Sequence, residues 1–341
     1  MKIYSGLLCV SLLGLAACGS NNTREDDFET IYKNDIRQIL SKNQHFSDSL
    51  KNPTKKAFLL KGGEYFPDYE HPRTLNEKVI YVLYNYFMKS PITSVIGNKY
   101  YAKKFVADLV GEQHVVKLLG VWDNPQDIEW DKLPNKFVLK SVRGHFGRQV
   151  ILVNDKSKLN IPETIKKLEE FCKLPFMQKY KNKRIIAEEY IDAENGLSVD
   201  YKFFCSYGKP LFAYCLATKQ SEERDVDTKT FSFYSVPEWK RIPAIAGQHA
   251  QNLVPKPKHF KKMLEVASKL SKDFPLIRVD LFKVGNRVLL GELTEDASGG
   301  KNIISPVTWD FILGEKISVP SKDELNELIT RDKIKSEKWL D

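Results

Sequence analysis

From Thr74 to Leu109 the apolar positions recur at helical spacing, whereas from Val115 onward they mostly alternate with polar residues or gather in short runs. The pattern predicts a helical first part followed by an α+β body. Thr74-Leu75-Asn76-Glu77 has the form of a capping box, and Val79, Val82, Leu83, Tyr86 and Phe87 follow on one helical face. A second helix is expected over Lys99 to Leu109, closed by Gly111, and Asp27 to Tyr69 reads as polar helix until His71-Pro72 breaks it. Strands are expected at Val115 to Leu119 and Lys136 to Lys140, separated by the Pro/Asp/Asn-rich Asp123 to Asn135. Gln149 to Val153, Arg184 to Tyr190 and Val199 to Cys205 continue the series, the last turning through Ser206 to Pro210 into Leu211 to Ala217. Ile161 to Leu174 and Lys256 to Lys272 are amphipathic; the second sets Phe260, Met263, Leu264, Ala267 and Leu270 inward and its lysines toward solvent.

The last two strands, Leu276 to Val284 and Arg287 to Thr294, carry candidate chemistry. Period two places Arg278, Asp280 and Phe282 on one face, and Val288, Leu290, Glu292 and Thr294 on one face of the partner. For Asp280 and Glu292 to meet, the hairpin loop must be odd, for example Gly285-Asn286-Arg287 with a bulge; a two-residue loop puts them on opposite faces. If they meet, two carboxylates on rigid strands beside an arginine form a hard-cation site suited to Mg²⁺ carrying phosphates. The bland alternative is an Arg–Asp pair and a lone surface glutamate. Upstream, Lys140 ends a strand and leads into Ser141-Val142-Arg143-Gly144-His145-Phe146-Gly147-Arg148, a basic glycine-containing loop whose backbone N–H groups could cradle phosphate or form a plain hairpin turn. Ile185 to Ile191 is a third element, a strand running into a loop whose backbone could pair with an adenine edge.

The chain has 341 residues, and 53 Lys and Arg against 44 Asp and Glu give a net charge of +9. That composition excludes a disordered or collagen-like chain, and the dispersed charge favours an anionic ligand without a nucleic-acid motif to support one. Met1-Lys2 and the apolar Ile3 to Ala17 lead to Leu15-Ala16-Ala17-Cys18, in the manner of a bacterial lipoprotein signal, with Gly19 to Asp27 as a polar tether. An N-terminal anchor or buried helix that happens to contain a cysteine is the alternative. Cys172, Cys205 and Cys215 lack metal-ligand spacing and read as buried thiols.

Lys117 to Asp123, Asp131 to Lys140, Asp200 to Cys205, Arg278-Val279-Asp280-Leu281 and Gly291-Glu292-Leu293-Thr294, in that order, resemble the TupA-like ATP-grasp family over roughly Arg73 to Pro320. The resemblance implies an ATP-grasp fold, two α+β subdomains clamping ATP, preceded by a helical N-terminal region. With the sequence pattern at either end, the chain then divides into a signal-like or anchor segment with tether (1–26), a mostly helical region (27–110), a small subdomain with the phosphate loop (111–184), a large subdomain with the metal-binding hairpin (185–320) and a helical tail (321–341). It implies ATP contacts from Lys99, Lys140, Gly144 and Gly147, an adenine hinge at Glu189, Tyr190 and Ile191, and a ribose contact from Asp200. Asp280 and Glu292 would hold Mg²⁺, while Arg278 and Lys140 would serve catalysis at the transferring phosphoryl group. The implied activity is an ATP-dependent carboxylate–amine ligase working through an acyl phosphate in cell-surface polysaccharide or teichuronopeptide-type biosynthesis. Its partners would be ATP and a carboxylate- and amine-bearing small molecule or surface-polymer precursor. The second expectation is a lipid-anchored envelope protein that binds anionic glycan on this scaffold without turnover. The first places the chain in the cytoplasm or on the cytoplasmic membrane face, the second outside through Cys18.

Overall fold

A computed structural model describes residues 54–55, 58, 63–144, 149–177, 184–191, 197–219, 229–246 and 254–340. The lipoprotein-like segment with Cys18, the residues 27–53 and the loop tip from His145 to Arg148, with Gly147, lie outside the described residues. Gly63 to Tyr69 form no helix, contrary to the expectation for that stretch: Pro67 interrupts it, and Asp68 Oδ1 accepts from the backbone N–H of Glu70 and His71 at 2.9 and 3.1 Å.

Helix α1 (Leu75–Val82) starts at the capping box, with Glu77 N donating to Thr74 Oγ1 and Thr74 N to Glu77 Oε2, and passes into a π-helical turn, Leu83–Phe87. Helix α2 (Ile92–Ile96) and helix α3 (Lys99–Val110) follow, α3 capped by Asn98 and ended at Gly111. Strands β1 (Leu118–Trp122), β2 (Phe137–Ser141), β3 (Val150–Val153) and β4 (Ile185–Glu189) form an antiparallel sheet ordered β1-β4-β2-β3. β1 begins three residues later than its apolar run suggests, because Val115 N closes a tight turn onto Glu112 O. β4 lies between β1 and β2, so the strand expected to open the large subdomain belongs to the small sheet. Helix α4 (Ile161–Lys173) packs on this sheet through Leu168 and Cys172.

The second sheet contains β5 (Leu197–Ser206), β6 (Lys209–Lys219), β7 (Lys229–Ser235), β8 (Arg241–Ile242), β10 (Ile277–Val284) and β11 (Arg287–Thr294), ordered β11-β10-β5-β6-β7-β8. Strands β9 (Ile245–Ala246) and β12 (Ile304–Ser305) make a short separate pair. Helix α5 (Phe260–Ser271) covers the second sheet, and α6 (Thr308–Glu315) and α7 (Lys322–Leu340) complete the chain. One apolar core joins Leu75, Val79 and Phe105 to Phe203, Val279, Leu313 and Trp339, so the N-terminal helices are part of the large body and not a unit apart. The join is also polar. Buried Asp310 accepts from Asn76 N at 3.1 Å and from Tyr65 Oη at 2.8 Å, while Lys78 Nζ donates to the carbonyls of Gly314 and Ile317 at 2.9 and 2.6 Å. Among the described residues no helix is long and apolar enough to cross a membrane.

Candidate functional site

The hairpin of β10 and β11 meets the condition on its carboxylates by another route. Val284 pairs with Arg287, so the loop is the two-residue Gly285-Asn286, with Gly285 at the positive φ of +55° that the first position of such a turn favours. That turn alone puts Glu292 out of phase. Leu281 pairs with Leu290 but Asp280 pairs with Glu292, so Gly291 is an extra residue, a β-bulge that restores the shared face within the strand instead of in the loop.

Above this hairpin lies a cavity of about 410 Å³ between the two sheets and α3. Helix α3 lines it with Lys99, Ala102, Lys103 and Val106, one face at spacings of three and four. The small sheet contributes Val138 and Lys140 of β2, Val150 and Leu152 of β3 and Glu188 of β4, which the register places on one face. Glu189, Tyr190, Ile191 and Asp200 close one side, with Phe282, Leu290, Gly291 and Glu292 from the second sheet. Seven residues singled out in the sequence thus meet on one wall or another: Lys99, Lys140, Glu189, Tyr190, Ile191, Asp200 and Glu292. The lining is apolar around Val116, Val138 and Leu290 and cationic at Lys99 and Lys140, a division suited to a flat heterocycle carrying phosphates.

Lys99 sits at the start of α3, where its own N–H donates to Val142 O at 2.7 Å, and its Nζ points to Gly144 O at 3.4 Å. Burial, with Lys140 and Arg143 nearby, pulls its ammonium below the ordinary lysine range, against the pull of Glu292 and Glu188. Lys140 pairs with Glu188 Oε2, and Lys103 with Glu188 Oε1 at 2.9 Å while donating to Val116 O at 2.6 Å. Burial alone would raise the Glu188 carboxyl; the two ammonium groups overcome it and hold it at about 2. Lys103 and Glu188 were not recognisable from sequence as site residues. The available signals were the four-residue spacing from Lys99 to Lys103 and the parity of Ile186 and Glu188, which places Glu188 diagonally from Lys140.

At the hinge, Glu189 Oε1 accepts from Lys117 N at 3.1 Å and Arg287 Nη2 at 3.0 Å, and Lys136 Nζ lies 5.7 Å from the Tyr190 ring centroid. Gly144, expected at the phosphates, does not line the cavity; a Cβ there would stand 2.9 Å from Gln149 Oε1. Beside it the Arg143 guanidinium lies against Gly97, where a Cβ would stand 1.6 Å from Nη1, and donates to Glu295 Oε1 at 2.8 Å.

Asp280 and Arg278 do not line the cavity; Asp280 lies beside Glu292 in the register and Arg278 beside Thr294. Arg278 Nε donates to Asp280 Oδ1 at 2.7 Å, Arg278 Nη2 to Oδ2 at 2.8 Å and to Thr294 Oγ1 at 3.0 Å, and Lys202 Nζ to Asp280 Oδ2 at 2.7 Å. Lys202 also reaches Asp200 Oδ2 at 3.4 Å. Asp280 is thus held below the ordinary carboxylate range by Arg278 and Lys202 despite its burial. Lys202 escaped the sequence reading, although the Asp200-Tyr201-Lys202 alternation places it beside Asp280 in the register. As arranged, the pair offers a divalent ion one open carboxylate, exposed Glu292, since Asp280 is buried and already carries an arginine and a lysine on its oxygens. Among the described residues no cluster of three or more His, Cys, Asp or Glu is disposed to hold a metal.

A sequence model of TupA-like ATP-grasp proteins matches residues 78–318, a span that contains both sheets and every wall of this cavity. The chain belongs to the TupA-like ATP-grasp family. Its fold class is accordingly α+β of the ATP-grasp type, as the order of motifs implied. Among solved structures, this TupA-like chain is similar to D-alanine–D-alanine ligase from Helicobacter pylori, at 16% identity over 66% of this chain and 62% of that one, with a TM-score of 0.36. It is similar to L-amino acid ligase from Bacillus licheniformis at 16% identity, 61% and 44% coverage and a TM-score of 0.40. It is also similar to the biotin carboxylase domain of 2-oxoglutarate carboxylase from Hydrogenobacter thermophilus, solved with MgADP, at 11% identity, 67% and 49% coverage and a TM-score of 0.37. The match spans between 44% and 62% of the length of these three proteins. No curated protein matches the chain.

Proposed function

We propose that this TupA-like protein binds ATP in the cavity and joins a carboxylate to an amine through an acyl phosphate. The observation that carries the reading is the convergence of Lys99 and Lys140 with the hinge Glu189 to Ile191 on one cavity of about 410 Å³. Val138 and Leu290 supply apolar contact for a base, and Lys99 and Lys140 are the positive charges for its phosphates. Glu188 fixes the Lys140 ammonium, so little reorganisation is needed when phosphate arrives. The substrate carboxylate would attack the γ-phosphate and release ADP; the amine would then displace phosphate from the acyl carbon, leaving an amide. Mg²⁺ would supply charge neutralisation on the phosphates when bound, and Glu292 is the residue that would hold it. No protein nucleophile is required. Burial pushes the Cys205 thiol up to about 12 and raises Cys172, which removes both as candidates.

Family resemblance supports a uronic acid, amino acid or other surface-polymer precursor as the carboxylate substrate, and a site of action in the cytoplasm or on the cytoplasmic membrane face. The occupation of Asp280 by Arg278 and Lys202 favours a second reading, capture of anionic glycan without turnover by an envelope protein anchored through Cys18. Calorimetric titration of the full chain with ATP, with and without Mg²⁺, separates the two. The ligase reading expects saturable ATP binding that weakens at least about tenfold in Lys140→Ala, and phosphate release dependent on a carboxylate and an amine together. Absence of binding at millimolar ATP would overturn it.

A further inference from the structure

We infer that nucleotide in this cavity carries a single divalent cation, held by Glu292, because Lys202 is a built-in ammonium on Asp280 where a further metal ion would have to sit. The inference rests on the nucleotide reading above and adds the metal count and the role of Lys202 to it.

Three adjacent strands set the arrangement. Asp280 of β10 pairs with Glu292 of β11 on one side and with Lys202 of β5 on the other, so the three residues form one row across the sheet. Within that row the two carboxylates differ. Glu292 is exposed on the cavity wall and makes no hydrogen bond or ion pair among the described residues, whereas the Asp280 side chain is 5% exposed and has donors on both oxygens. Arg278 approaches as a fork, and Lys202 Nζ occupies the remaining approach to Oδ2 at 2.7 Å.

A magnesium or manganese ion on Asp280 would need an oxygen lone pair at about 2.1 Å on a buried carboxylate that already has a guanidinium and an ammonium against it, so its charge would be opposed by two cations. Displacing that ammonium is costly, because the Lys202 side chain is 12% exposed and its one other described anion, Asp200, is already 3.4 Å away. Lys202 therefore supplies in fixed form the positive charge that a metal at Asp280 would bring, and acts on the phosphate end as a positioning residue through Asp280. Glu292 is left as the carboxylate open to a hydrated ion that takes its remaining ligands from phosphate and water.

The test counts Mn²⁺ by electron paramagnetic resonance on the full chain saturated with a non-hydrolysable ATP analogue. Wild type is expected to hold one Mn²⁺ per bound analogue. Lys202→Met, which keeps the unbranched stem, one atom shorter, and removes the charge, is expected to hold two, Lys202→Arg one, and Lys202→Met with Asp280→Asn one again. Two Mn²⁺ in wild type, or one in a Lys202→Met protein that melts as wild type does, would overturn the inference while leaving nucleotide binding intact. The wild-type count decides the matter even if the methionine variant fails to fold. Failure of the analogue to bind wild type at all would overturn the parent reading and this one with it.

Discussion

Glu188 and Asp280 are two buried carboxylates that each grip two cations, yet they are built in different ways. Glu188 collects Lys103 from α3 and Lys140 from β2, so its cluster exists only when a helix and the small sheet come together. Asp280 collects Arg278 from its own strand and Lys202 from the next, so its cluster is complete within one sheet. The first cluster keeps a cation at the cavity, the Lys140 side chain being 26% exposed, whereas the second turns its cations inward and leaves Glu292 in front. One carboxylate presents positive charge to a ligand; the other stores it behind a negative group. Under the proposed function, the contrast would put phosphate contact on the α3 and β2 side and cation contact on the β11 side.

The largest effect that would sharpen this contrast is expected for Asp280→Asn. It leaves Arg278 and Lys202 buried without their shared counter-charge, and a loss of about 3 to 5 kcal/mol is expected in denaturant unfolding. A loss below about 1 kcal/mol would mean that water reaches these cations and that the second cluster is no more closed than the first.

Next in size is Glu188→Gln. The folded carboxyl is held at about 2 against an ordinary 4.5, so between those values the unfolded chain binds more protons and stability rises with pH. The stabilisation is full above pH 4.5 and disappears as pH falls through about 2. A difference of that size corresponds to about 3 kcal/mol, and Glu188→Gln is expected to lose it at pH 7 and to flatten the acid limb of a stability–pH curve. An acid limb unchanged in the variant would place the titrating group elsewhere and remove the basis for treating Glu188 as the anchor of Lys140.

These two clusters also mark what the residues disclosed in advance. Arg278 and Asp280 were legible because period two acts within one strand, and Glu292 because its parity could be stated as a condition. The condition was met through Gly291; an isolated glycine within a strand is a signal for a bulge, but whether one forms is decided by the pairing of both strands and not by the turn between them. Lys103 and Glu188 were illegible because their partners lie far apart in the chain; Glu188 is 48 residues from Lys140, and an acidic strand residue reads as a solvated face until a second element covers it. The same holds for β4, whose apolar run predicted a strand without saying that it would enter between β1 and β2. The helical N-terminal region was legible as helices and not as part of the large core, because its apolar face does not reveal which sheet it meets.

The smallest expected effect tests how Glu292 obtains its register beside the second cluster. Gly291 is the extra residue in β11, and its φ does not lie in the left-handed region that favours glycine. A Cβ there would meet Asp280 O at 3.4 Å and the Phe282 ring at 3.6 Å, both ordinary contact distances. Gly291→Ala is therefore expected to change stability by no more than about 0.5 kcal/mol in thermal unfolding, because the bulge is held by the pairs on either side of it. Asp280–Glu292 and Leu281–Leu290 remain available to the variant, so Glu292 keeps its place beside Asp280. A loss above about 2 kcal/mol would mean instead that glycine itself sets the bulge. The place of Glu292 beside the second cluster would then depend on a single backbone position, whereas the side chains of the first cluster are fixed by three separate elements.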